Sequence, residues 1–234
     1  MLQVSDLSVS YGHLPALRGV SCAVAKGEFV SVIGSNGAGK TTLLKTISGL
    51  MKAASGTIRF EGDRIDNLQT YEICSRGIIQ VPEGRKIFPR MKVIDNLEMG
   101  AYLPEAKKRF HETRDQVYAL FPLLASRKKQ LAATLSGGEQ QMLALGRALM
   151  SRPKLIMFDE PSLGLSPKAS QGIFQTIGKL NKEGLTVLLI SQDVLQSLAL
   201  AQRAYVLENS RIVMEGKGSD LLQDPKVKQA YLGI

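Results

Sequence analysis

Gly34-Ser35-Asn36-Gly37-Ala38-Gly39-Lys40-Thr41 is the stretch from which the rest of this chain is read, and it matches the pattern G-x-x-x-x-G-K-[ST]. Before it, Glu28-Phe29-Val30-Ser31-Val32-Ile33 is a short β-branched apolar run that reads as a buried strand. After it, a helical run extends from Lys40 to about Leu50. A strand entering and a helix leaving make the stretch a phosphate cradle rather than a Gly-rich turn with an exposed lysine. Glycines let backbone N–H groups turn inward and approach an anion closely, and the helix points its positive end at it. Lys40 supplies a point charge between β- and γ-phosphates, and the Thr41 hydroxyl is placed to reach Mg²⁺, with Thr42 following on the same turn.

Outward from the loop, residues 2–10 and 16–25 alternate apolar and polar side chains, as half-buried antiparallel strands do. Strand signals return at 56–60, 77–81, 155–158, 187–190, 205–207 and 212–214. A helix from Pro167 to about Leu180, capped by Ser166, separates two of them. From about 93 to 150 the strand signal gives way to Leu, Ala, Glu, Lys and Arg at helical spacing. The expectation is an α/β protein with a parallel P-loop NTPase (RecA-like) core, an antiparallel β subdomain and an inserted α-helical subdomain. The chain, 1–234, is expected to form one nucleotide-binding domain, with 1–88 and 151–234 as α/β core and 89–150 as the helical part.

Two further motifs carry chemistry. Leu155-Ile156-Met157-Phe158-Asp159-Glu160 is an apolar strand ending in two carboxylates, where the ligands of α/β proteins bind. Asp159 is placed to hold Mg²⁺, directly or through water, and Glu160 to act as general base on an attacking water. If the strand continues, the two side chains point to opposite faces. Leu135-Ser136-Gly137-Gly138-Glu139-Gln140-Gln141 opens a helix running to about Met150, and Ser136, Gly137 and Gly138 offer a hydroxyl and open N–H groups as a second anion site.

With this last motif the chain resembles, over essentially its whole length, the ATP-binding cassette (ABC) family, whose signature is LSGGQ-like. The resemblance implies ATP and Mg²⁺ as ligands, ATP hydrolysis, and a head-to-tail dimer in which the signature of one subunit faces the γ-phosphate held by the other. It places Tyr11 where the family stacks an aromatic ring on adenine. Three positions depart from the family pattern. Glu83, in Ile79-Gln80-Val81-Pro82-Glu83-Gly84-Arg85, stands where a glutamine is usual, while Gln80 falls inside the strand. The loop Pro161-Ser162-Leu163-Gly164-Leu165-Ser166-Pro167 lacks the usual aspartate, and Gln192 in Ser191-Gln192-Asp193 replaces the switch histidine. Gln192 still hydrogen-bonds a phosphate or a water but carries no charge, and Glu83 can accept a bond from Mg²⁺-bound or attacking water.

Val81 to Arg85, Glu160 to Leu165 and Ala230-Tyr231-Leu232-Gly233 resemble one branch, the smaller ATP-binding subunit of high-affinity branched-chain amino-acid importers, although that branch usually reads Glu-Gln-Asn around Gln192. Urea and amide importers share much of the pattern. The branch implies membrane permeases and a second cassette as partners, a solute-binding protein acting indirectly, and a peripheral place on the cytoplasmic face of the inner membrane.

Composition fits this reading. Hydrophobic residues make up 44%, too many for a disordered chain, and the longest apolar runs are far short of a bilayer span. Met1 to Ser10 has neither a basic flank nor an apolar core, so no secretory signal is expected, and Cys22 and Cys74 are too few for a disulfide framework. Of the net charge of +9, the segment Arg85 to Lys129 holds the larger part. A nucleic-acid or ribosome-associated cassette would suit that charge, but such relatives carry two cassettes or long coiled insertions, and no nucleic-acid partner is expected. The band is expected to face a permease or acidic headgroups.

Overall fold

Alternation of apolar and polar residues, and its loss, sort the strands of the computed structural model into two sheets. It describes residues 1–232; Gly233, the last residue of the Ala230–Gly233 stretch, lies outside the described residues. The strands are β1 (Leu2–Tyr11), β2 (Leu14–Val24), β3 (Phe29–Ile33), β4 (Ser55–Phe60), β5 (Asp63–Arg64), β6 (Ile78–Val81), β7 (Leu155–Asp159), β8 (Thr186–Ile190), β9 (Arg203–Glu208) and β10 (Arg211–Gly216). An antiparallel sheet has the order β2-β1-β4-β5, and a six-stranded sheet the order β10-β9-β3-β8-β7-β6, parallel except for β10. Along β1 the buried positions pass from Leu2 and Val4 to Leu7 and Val9, a one-residue slip that the irregularity at Asp6 absorbs at φ +51°.

The helices are α1 (Lys40–Ile47), α2 (Thr70–Ser75), α3 (Val93–Gly100), α4 (Pro104–Lys108), α5 (Phe110–Leu120), α6 (Pro122–Ser126), α7 (Gly137–Met150), α8 (Pro167–Lys182), α9 (Val194–Leu200), α10 (Gly218–Leu221) and α11 (Pro225–Val227). The central parallel strands are buried on both faces. On one side Val30, Val32, Leu188 and Ile190 pack with Leu43 and Ile47 of α1 and with Leu7 and Val20 of the antiparallel sheet. On the other, Phe29, Phe158, Val187 and Leu189 pack with Leu143 of α7, Ile177 of α8 and Leu198 of α9. So α1 is held between the two sheets, which fixes the loop before it.

Several boundaries differ from expectation. Helix α1 ends at Ile47, three residues early: the Ser48 hydroxyl turns back to the Leu44 carbonyl, and Gly49 follows at φ +72°. The helical stretch after 93 is broken where Pro104 and Pro122 start new helices. Helices α2, α9, α10 and α11 had no sequence signal long enough to read.

Candidate nucleotide site

Strands β3, β8 and β7 are neighbours, so their carboxyl ends deliver the Gly34–Lys40 loop, Ser191-Gln192 and Asp159-Glu160 to one edge of the sheet. Helix α1 opens at Lys40 behind Gly39 with no side-chain cap, so its first N–H groups have no intrahelical acceptor and its positive end stands at the loop. Gly39 itself sits at φ +111°, with the Ala16 carbonyl oxygen where a Cβ would go.

Six side chains converge here: Lys40, Thr41, Asp159, Glu160, Gln192 and Asn36. The buried Lys40 ammonium donates to the Gly34 carbonyl at 2.7 Å and the Ser35 carbonyl at 3.1 Å, and lies 4.0 Å from Glu160 Oε1. Thr41 Oγ1 donates to Asp159 Oδ1 at 3.0 Å. The Gln192 backbone N–H donates to Glu160 Oε2 at 2.8 Å, and its side-chain amide donates to Asn36 Oδ1 at 2.8 Å. Tyr11 is half exposed beside α1, its Oη 3.5 Å from Thr42 Oγ1.

The Asp159 and Glu160 side chains do not divide between opposite faces of a continuing strand. β7 stops at Asp159, and Glu160 takes φ +50°, a left-handed turn held by its N–H to the Ile190 carbonyl at 2.9 Å. Both carboxylates therefore reach the loop, Asp159 to Thr41 and Glu160 to Lys40. Gln80 is occupied elsewhere, accepting from the Ser48 hydroxyl.

Burial pushes both carboxyls above the usual carboxylate range. The Thr41 hydroxyl opposes this at Asp159, and the Gln192 N–H and Lys40 oppose it at Glu160. The charge of exposed Glu83 adds to the rise at both. Burial pulls the Lys40 ammonium below its usual range, against the pull of Glu160 and Asp159. A raised carboxyl 4.0 Å from an ammonium, at the mouth of an anion cradle, is suited to take a proton from water.

Ser136, Gly137 and Gly138 do not join this cluster. Ser136 caps α7, accepting from the Glu139 N–H, and Glu139 reaches back to the Ser136 N–H at 2.8 Å. Gly137 lies against the Arg85 guanidinium and Gly138 against Ala169 of α8. The chain thus carries a Gly-rich loop with a lysine and two carboxylates in one place and a capped, glycine-opened helix start in another.

This architecture defines an ATP-binding cassette. A family model described as ABC transporter matches residues 17–163, and the chain belongs to that family. It is similar to the "High-affinity branched-chain amino acid transport ATP-binding protein BraG" of Pseudomonas aeruginosa, 52% identical over 233 residues that cover 100% of both chains. Among solved structures it resembles an ATP-binding cassette of an ABC transporter in its ADP conformation, at TM-score 0.87 and 31% identity, covering 100% of this chain and 99% of that one. It also resembles a dimeric post-hydrolysis cassette bound to ADP and Pi, at TM-score 0.80 and 27% identity, covering 93% and 98%.

Two residues beside the site escaped sequence reading as site residues. Arg85 reaches Gln140 and Gly164. Tyr231 donates to Glu208 Oε1 at 2.7 Å and lies near the Ser35 backbone. The only signals were the Val81–Arg85 and Ala230–Gly233 stretches, which mark a branch of the family and not a contact.

Proposed function

We propose that this chain is the ATP-hydrolysing cassette of an importer, coupling ATP-driven closure of a head-to-tail cassette pair to uptake of amino acids, branched-chain ones foremost, through separate permeases. The observation that carries hydrolysis is the Glu160 carboxylate held between the Lys40 ammonium and the Gln192 N–H. The solute class rests on the likeness to BraG.

In this reading the loop from Gly34, Ser35, Asn36, Gly37, Ala38 and Gly39 to Lys40, Thr41 and Thr42 cradles the phosphates, and Tyr11 stacks on adenine. Lys40 exchanges the loop carbonyls for β- and γ-phosphate oxygens. Glu160 takes a proton from the water that attacks the γ-phosphorus, and the β–γ bridging oxygen leaves with ADP. Gln192 and Glu83 orient that water. Thr41 and Asp159 are hard oxygen donors 3.0 Å apart and fit Mg²⁺, which would offset phosphate charge when bound. Among the described residues no three His, Cys, Asp or Glu side chains form a metal cage, in keeping with an ion held mainly by phosphate and water. Ser136, Gly137 and Gly138 engage the ATP held by a second cassette.

The division into an α/β core of 1–88 and 151–234 and a helical part of 89–150 belongs to the same proposal. Between the two parts lies a groove of about 360 Å³ lined by Leu50, Pro82, Phe88, Met99 and Tyr102. Four of these apolar side chains are 42–62% exposed, and a permease segment is the partner that would cover them. No helix among the described residues is long and apolar enough to cross a membrane. The likeness to a transport ATP-binding protein supports a peripheral association, on the cytoplasmic face in this reading, with the solute-binding protein acting through the permeases. The basic band is partly neutralised within the chain: Lys108, Arg109, Arg114 and Arg127 pair with Glu105, Glu112, Asp115 and Glu139. Besides Arg85, which bonds Gln140, the band's Lys86, Arg90, Lys92, Lys107, Lys128 and Lys129 form no ion pair among the described residues and are the cations left for the permease or headgroups.

The test is uptake of labelled leucine, isoleucine and valine in cells lacking this cassette. The parent chain should restore all three and Lys40→Ala none. Restored urea uptake without leucine would move the solute to the amide alternative.

A further inference from the structure

Gly84, Arg85 and Lys86 all have positive φ, at +74°, +65° and +44°. Two consecutive non-glycine residues in the left-handed region are strained, and such strain persists where surrounding contacts over-determine it. Here two arginines do so, from opposite directions. Arg147, near the C-terminal end of α7, donates to the Lys86 carbonyl at 2.7 Å and lies over the Phe88 ring at 5.1 Å. Arg85 reaches the other end of the same helix, donating to Gln140 Oε1 at 3.2 Å.

The Arg85 guanidinium makes further contacts. It lies 3.5 Å from the Gly164 carbonyl, in the loop that follows Glu160. Its Nη2 would be 2.9 Å from a Cβ at Gly137, so the first glycine of the signature is what lets it lie this close. Gln140 passes the contact on: its oxygen accepts from Arg85, and its Nε2 donates to the Leu135 carbonyl at 3.2 Å and the Ala132 carbonyl at 3.4 Å. The partners force that orientation, since guanidinium only donates and a carbonyl only accepts. One planar fork thus ties the loop beside the permease groove to the turn before Ser136 and to the loop after Glu160.

We propose that Arg85 is a positioning residue for the second half of the composite ATP site, holding Ser136, Gly137 and Gly138 in the arrangement that receives the partner-held γ-phosphate. The inference rests on the head-to-tail reading above. It gives Val81 to Arg85 a mechanical role: a push on the groove is felt at the signature through the Arg85–Gln140 link, beside the Arg147 contact to Lys86.

The test uses the full chain with Glu160→Gln, in which ATP should hold the dimer closed, and compares it with Glu160→Gln carrying Arg85→Gln, Arg85→Lys or Gln140→Ala. Two quantities are read: ATP affinity of the monomer at low protein concentration, and the dimer dissociation constant with saturating ATP from sedimentation. Arg85→Gln should weaken the dimer about tenfold or more and leave monomer ATP affinity unchanged, because the phosphate loop is untouched. Arg85→Lys should not rescue it, since an ammonium does not reproduce the planar fork. Arg85→Gln and Gln140→Ala together should be no worse than either alone, being two ends of one link. Gln140→Ala also keeps the test decisive if Arg85→Gln fails to fold. Dimers as tight as the parent's, or equal losses of monomer ATP affinity, would overturn the proposal. If Glu160→Gln alone does not dimerise with ATP, the head-to-tail reading fails and this inference falls with it.

Discussion

Replacing Gly39 by alanine tests whether the phosphate loop is held by the packing seen around it. At φ +111° an added methyl is strained by roughly 1–2 kcal/mol. The same methyl collides with the Ala16 carbonyl oxygen and sits 2.8 Å from Leu17 Cδ2, so the β2 backbone must move, at about 1–3 kcal/mol for overpacking. The sum, about 2–5 kcal/mol, is a large share of the roughly 5–15 kcal/mol that stabilises a typical domain. For a chain of 234 residues it lowers the melting temperature by about 4–20 °C. Gly37→Ala is the control: φ is +80° but no atom lies within 4 Å of the added carbon, so only the strain of roughly 1–2 kcal/mol applies. Calorimetric melting of both variants without nucleotide measures the difference. Equal melting temperatures for the two, or Gly39→Ala within about 2 °C of the parent, would refute the argument from packing.

Other outcomes follow from the site. Lys40→Ala should weaken ATP binding by about 100-fold or more in titration calorimetry, since a charge-assisted phosphate contact is lost; affinity close to the parent's would contradict the role given to Lys40. Gln192→Ala should lower turnover about tenfold, the worth of one neutral hydrogen bond, whereas Glu160→Gln should lower it by about 10²–10⁴ as a lost general base. Without nucleotide, Glu160→Gln should melt above the parent at pH 8. Burial raises the folded carboxyl, so the penalty of its charge is absent below the unfolded value and complete above the folded one. The advantage of Glu160→Gln should therefore shrink as pH falls through the raised value, and an advantage independent of pH would contradict the cause assigned.

The phosphate loop, its strand and its helix were legible because the chemistry is local: glycines, a lysine and a threonine at fixed spacing between two unambiguous elements. Asp159 and Gln192 were legible for a related reason, each lying at the end of a short apolar run whose neighbours in the sheet follow from α/β topology. The direction of Glu160 was not, because it depends on a left-handed residue that only tertiary contacts select. Short α2 and the C-terminal turns gave no periodicity to read, since three to six residues do not complete two helical turns. Contacts such as Gln192 to Asn36 and Arg85 to Gly164 join segments far apart in sequence, and nothing in either segment names the other.

The central claim is that one chain holds half of each ATP site and a second cassette supplies the rest. Light scattering of purified Glu160→Gln tests it most directly. With Mg²⁺ and ATP the account predicts a particle of twice the 25.5 kDa mass, which returns to the single mass when ADP replaces ATP or when Ser136 is changed to a bulky residue. A particle that keeps the single mass at saturating ATP, while the parent still hydrolyses ATP alone, would contradict it.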